Sequence, residues 1–115
     1  MYVGNISLGN ETVILDLKRR YTRVNIFKQS GSGTGSVTVQ FGVVGLNNLY
    51  FQLGDGDDLD LTTTDIITIN SGASGDILFD SLKFTGTGLT GNAKLYIVAW
   101  QEVKDGIKTN ELDPE

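Results

Sequence analysis

The side chains that could do chemistry in this chain are restricted in kind, because its 115 residues include no His and no Cys. A Ser-His or Cys-His nucleophile is thereby excluded, and the many Ser and Thr hydroxyls have no evident base to activate them. Ser/Lys pairs are the one such arrangement left. Disulfides and thiolate metal sites are excluded as well, so stability has to come from burial, sheet pairing or oligomerisation. A glycosidase needs two carboxylates facing one another across a cleft, whereas Glu11, Glu102, Glu111 and Glu115 lie towards the chain ends. The expectation is a protein that is not an enzyme.

Three groupings remain. The acidic stretch Gly54-Asp55-Gly56-Asp57-Asp58-Leu59-Asp60 offers Asp55, Asp57 and Asp58 as oxygen ligands on a Gly-containing loop, a chemistry suited to Ca2+. It departs from an EF-hand loop. Counted from Asp55, position 5 is Leu59, position 6 is Asp60 in place of Gly, and position 12 is Ile66 in place of Glu. The simpler account is a solvated acidic turn with Leu59 and Leu61 pointing inward and Asp60 outward. No other cofactor is expected. Lys18, Arg19, Arg20 and Arg23 beside Tyr21 form a small charged contact patch, with the elements of a phosphate or nucleic-acid contact. The plainer account is a charged hairpin turn that guards a sheet edge. A third account sets the patch against the Asp55 to Asp60 segment of another copy. Four cations in a chain of net charge -5 make nucleic acid a poor expectation. Finally, Tyr2, Tyr21, Tyr50 and Trp100 are amphipathic rings of the sort that bind sugars, but they are scattered along the chain.

The elements that position these groups are short strands. Ser36 to Val43 alternates without a break, with Val37, Val39, Phe41 and Val43 on one face and small or polar residues on the other, the pattern of a half-buried strand. The same period places strands at Tyr2 to Leu8, Glu11 to Leu17, Tyr21 to Lys28, Leu49 to Leu53, Leu59 to Thr62, Asp65 to Asn70, Asp76 to Phe84 and Lys94 to Gln101. Between them stand turn residues: Gly9-Asn10, the loop Gln29 to Gly35, and Ser71 to Gly75. Strands joined by a loop such as Gln29 to Gly35 are expected to be neighbours. In Asp76 to Phe84 the apolar parity slips between Phe79 and Leu82, which predicts a bulge near Asp80-Ser81. Such a chain, with no amphipathic helix, reads as all-β: a single-domain antiparallel β-sandwich of about eight strands, jelly-roll-like or Ig-like, over residues 1–101.

Charge is unevenly placed. Residues 1–30 carry five basic and two acidic side chains, residues 31–101 two and seven, and residues 102–115 two and five. The last segment reads as an acidic tail, flexible or docked on a neighbour. Met1 to Asn10 has no basic segment followed by an apolar one, and the longest apolar run, Leu95 to Trp100, is far short of the roughly 20 residues that cross a bilayer as a helix. The expected product is soluble, made in the cytoplasm without a signal peptide, with no membrane partner.

Leu95 to Trp100 is apolar on both faces: Leu95, Ile97 and Ala99 on one, Tyr96, Val98 and Trp100 on the other. A strand in a two-layer sandwich needs only one such face. The second asks for a cover, and Tyr and Trp are enriched where subunits meet. Tyr96, Val98 and Trp100 are therefore the expected interface of a homo-oligomer.

The loop Gln29-Ser-Gly-Ser-Gly-Thr-Gly35 leading into Ser36 to Phe41, and Phe84-Thr-Gly-Thr-Gly-Leu-Thr-Gly91 leading into Lys94 to Trp100, resemble in style the small β-rich structural proteins of tailed-phage virions. These include capsid decoration proteins and head or tail accessory proteins. The resemblance implies a non-enzymatic place in a symmetric assembly, usually a trimer, pentamer or other ring, within the virion of a bacteriophage and in contact with other virion proteins. It carries no site motif, so no residue role follows from it. Gly/Thr-rich loops between alternating strands also occur in carbohydrate-binding modules and adhesins. The second expectation is accordingly a glycan-binding or adhesive module, with Ca2+ at Asp55, Asp57 and Asp58 as a stabilising ion.

Overall fold

The computed structural model describes residues 1–45, 49–51, 58–70 and 78–101. Nine strands run through them: β1 (Tyr2–Leu8), β2 (Thr12–Tyr21), β3 (Arg23–Lys28), β4 (Ser36–Val43), β5 (Tyr50–Phe51), β6 (Asp58–Asp60), β7 (Ile66–Asn70), β8 (Phe79–Thr87) and β9 (Ala93–Trp100). The period-2 pattern accounts for where they lie. In β4, Val37, Val39 and Phe41 are buried while Ser36, Thr38 and Gln40 are half-buried on the opposite face. In β9 the buried set is Ala93, Leu95, Ile97 and Ala99.

The strands form two antiparallel sheets, β1-β9-β3-β7 and β2-β8-β4-β5, with β6 also beside β4. Tyr50 and Phe51 pair with Gly42 and Phe41, and Asp58 to Asp60 pair with Thr38 to Ser36. β5 and β6 thus occupy successive stations along one edge of β4, like a single interrupted strand. Counted that way there are eight strands, and the sheets read first-eighth-third-sixth and second-seventh-fourth-fifth. This is the order of a double-sheet jelly roll. An Ig-like order would pair several sequence neighbours within its sheets, whereas here only β4 and β5 do so.

That topology corrects one expectation. The strands on either side of Gln29 to Gly35 are not neighbours: β3 lies in the first sheet and β4 in the second. The alternation points a strand's apolar side chains inward equally well from either sheet, so it carries no information on which sheet comes next. The same holds for Gly9-Asn10, which passes from β1 to β2 across the sandwich.

The core fills the space between the inner faces. Leu17, Val24, Ile26, Val37, Val39, Leu59, Ile69, Phe79, Leu82, Phe84, Leu95 and Ile97 are all essentially inaccessible, and the rings of Phe41 and Phe79 lie 5.9 Å apart. The bulge near Asp80-Ser81 is present: Gly42 pairs with Ser81 and Val43 with Phe79, so Asp80 has no opposite number on β4. This skip lets Phe79 and Leu82 both face inward. A larger irregularity lies on β2, where the register passes from Asp16↔Ser81 to Tyr21↔Phe79. Lys18 takes a left-handed backbone there (φ 72°), with its N–H donating to Asp16 Oδ1 at 2.9 Å. Lys18-Arg19-Arg20 is therefore a bulged stretch within β2, not a hairpin turn, because Leu17 before it and Tyr21 after it are both drawn into the core.

One end of the sandwich is knit together by its loops. Asn10 Nδ2 donates to Leu89 O at 3.3 Å and Leu89 N–H donates to Asn10 Oδ1 at 2.8 Å. Thr34 N–H donates to Thr90 Oγ1 at 3.0 Å, and Thr90 N–H to Thr34 O at 3.2 Å. The hydroxyl of buried Ser32 lies 2.6 Å from Gln29 O and accepts Lys94 N–H at 3.0 Å. The two Gly/Thr-rich loops singled out in the sequence thus fasten to one another. The loop Gln29 to Gly35 is tied by hydrogen bonds at Gln29, Ser32, Thr34 and Gly35.

Candidate interaction surface

The outer faces of the two sheets differ in chemistry, and strand register shows how. Residues paired across antiparallel strands lie on the same face. On the second sheet the outer rows are Thr12, Thr85, Thr38 and Asp58, then Ile14, Lys83 and Gln40, then Asp16, Ser81, Gly42 and Tyr50. This is a solvated surface of hydroxyls and charges. Its apolar members are Ile14, which is exposed, and Tyr50, whose ring centroid is 5.3 Å from Lys83 Nζ, and Leu49 and Phe51 are exposed at its β5 edge.

The first sheet presents something else. Tyr96 stands between Asn5 and Phe27, and Phe27 beside Ile66, giving an outer row of Asn5, Tyr96, Phe27 and Ile66. The rings of Phe27 and Tyr96 are 6.1 Å apart and tilted by 53°. The adjacent row is Val3, Val98, Asn25 and Thr68, with Thr68 Oγ1 donating to Asn25 Oδ1 at 2.7 Å. Trp100 pairs with Arg23 beyond it. Val3 is 53%, Ile66 42% and Tyr96 36% exposed. Among the described side chains of this face, Arg23 and Lys94 are the ionic ones and no carboxylate appears.

Tyr96, Val98 and Trp100, expected to form an interface, therefore share one outer face and are joined there by Val3, Phe27 and Ile66. The sequence does carry a signal for these three. Each is an apolar residue on the parity opposite to its strand's core set: Phe27 beside Ile26, Ile66 beside Ile67, and Val3 beside the inward Tyr2. What it lacks is the strand order that sets them side by side.

The other candidate groups fare differently. Lys18 and Arg20 are exposed and Arg19 is half-buried in the bulge of β2, while Arg23 belongs to the outer face of the first sheet. Lys18 Nζ lies 3.6 Å from Asp16 Oδ2. Tyr21, the ring that would have stacked beside these cations, is buried. Of the carboxylates proposed for calcium, Asp55 and Asp57 lie outside the described residues, and Asp58 is exposed on β6 opposite Thr38. Leu59 and Leu61 do point inward and Asp60 outward. Asp60 accepts Thr62 N–H at 2.9 Å and the Thr62 hydroxyl at 2.6 Å, and these bonds, the hydroxyl first, hold its carboxyl below the ordinary value of 3.8. Among the described residues no three acidic side chains gather as a metal site. The four amphipathic rings do not converge: Tyr2 packs against the core, Tyr21 is inside it, Tyr50 stands on the second sheet and Trp100 on the first.

The chain matches no protein-family model, no curated protein and no solved structure. The jelly-roll order by itself is shared by viral capsid domains, lectin domains and cupins, so function has to be argued from the surface.

Proposed function

We propose that this protein is a non-enzymatic structural or accessory protein of a virion, acting by self-assembly and by docking the outer face of its β1-β9-β3-β7 sheet on a larger shell or tail. The observation that carries this reading is the asymmetry between the two outer faces. The outer rows of one sheet are hydroxyls and charges with Ile14 and Tyr50 among them, while the other sets exposed Val3, Ile66 and Tyr96 beside half-buried Phe27, Val98 and Trp100 in adjoining rows. Contiguous exposed apolar surface of this kind marks a contact with another macromolecule. Exposed Lys94 at its margin favours an acidic or neutral partner surface.

The test is light scattering with electron microscopy on the purified protein and on a Tyr96→Ala/Trp100→Ala variant. Wild type is expected to form closed rings or larger particles, and the variant smaller species with an unchanged fold. A wild-type monomer that binds glycans through Tyr96 and Trp100 would replace this reading with that of a carbohydrate-binding module.

A further inference from the structure

A sandwich with two open sheets has edge strands, and an edge strand offers unpaired N–H and C=O groups to any passing chain. Two of the four edges here carry the usual deterrents. β2 has charged Asp16, Lys18, Arg19 and Arg20 and a bulge. The interrupted edge β5/β6 consists of two-residue and three-residue pieces, the second bearing Asp58 and Asp60. β7, Ile66–Asn70, is uncharged and free of Pro and bulges but is shorter, at five residues, and is entered from Asp65. The fourth edge, β1, also lacks them and is the longer of the two uncharged edges. Its seven residues, Tyr-Val-Gly-Asn-Ile-Ser-Leu, include no charge and no Pro. They pair with β9 one for one from Tyr2↔Ala99 to Leu8↔Ala93, without a bulge, and among the described residues no strand pairs with their other side.

We infer that β1 pairs antiparallel with β1 of a second copy across a two-fold axis at Asn5, joining two four-stranded sheets into one of eight strands. A second copy fits because the strand complements itself. Pairing centred on Asn5 sets Asn5 against Asn5, Val3 against Ser7 and Tyr2 against Leu8, with no like charges opposed anywhere. The uncharged edge also offers nothing that would select a foreign strand by charge. An antiparallel junction puts its two-fold axis perpendicular to the sheet, so the apolar outer faces of both copies look the same way and become one continuous surface. The inference rests on the self-assembly reading for its partner but uses a different part of the molecule.

The chain has no Cys, so Asn5→Cys introduces a single thiol at an exposed site. Directly opposed residues in an antiparallel pair lie within disulfide reach, whereas residues 7 of the two copies would be about 14 Å apart. Under mild oxidation at micromolar concentration the full chain carrying Asn5→Cys is expected to run as a reducible covalent dimer, and Ser7→Cys to remain largely single. Asn5→Lys is expected to halve the mass of the smallest stable species while leaving it folded, and to abolish the rise of melting temperature with protein concentration that dimerisation gives the wild type. Absence of the dimer at residue 5, or equal cross-linking at residues 5 and 7, overturns the inference. In the Tyr96→Ala/Trp100→Ala background, survival of the Asn5→Cys dimer after loss of larger particles assigns dimerisation to the edge and docking to the face. A covalent Asn5→Cys dimer with no larger particle in either background leaves the edge pairing standing and removes the docking reading.

Discussion

Two glycines stand where backbone passes too close for any side chain. A Cβ on Gly86 would collide with the carbonyl oxygen of Gly9, and one on Gly35, whose φ is +109°, would lie 2.6 Å from Gly88 O. Both obstacles are backbone atoms, which cannot swing aside as a side chain can. Gly86→Ala is expected to cost about 3 kcal/mol or more, measured by urea denaturation, at the upper end of what overpacking usually costs. Asp60 is the residue to watch in acid. Because its folded-state carboxyl titrates below 3.8, its stabilising contribution is complete above that value and disappears as pH falls through the lowered one. Wild type and Asp60→Asn should therefore differ in melting temperature at neutral pH and draw together well below pH 3.8.

Among the elements, the tie between the turn at Gly9-Asn10 and the loop before β9 is the most localised. Asn10→Ala removes both bonds to Leu89 and is expected to lower stability by about 1–2 kcal/mol in chemical denaturation. Elements were also where the sequence was most legible. The bounds of β1 and β4 follow from alternation alone, and the Phe79/Leu82 spacing announces the bulge in β8. Lys18 to Arg20 misled because three consecutive cations look like a turn. The burial of Leu17 and Tyr21 that holds them inside β2 depends on β8, a strand some sixty residues away. The face of β9 was readable from its two apolar parities, but its companions were not. Phe27 and Ile66 join Tyr96 only through pairings with β3 and β7, which no local pattern encodes.

For the whole molecule the deciding fact is that almost every connection changes sheets. Only β4 and β5 pair as sequence neighbours, and the remaining pairings join distant segments. Refolding is accordingly expected in the millisecond-to-second range characteristic of non-local β topologies, which stopped-flow fluorescence of Trp100 would register. A microsecond phase carrying the full amplitude would contradict it. The interior position of β9 between β1 and β3 has a further consequence, for a chain growing on a ribosome. β1 is made first, yet its one intramolecular partner among the described strands is made last, after about ninety residues. At roughly 5–20 residues per second, Tyr2 to Leu8 waits several seconds as an uncharged strand without its mate. In a cell making many copies at once, the first pairing that β1 meets need not be with its own chain.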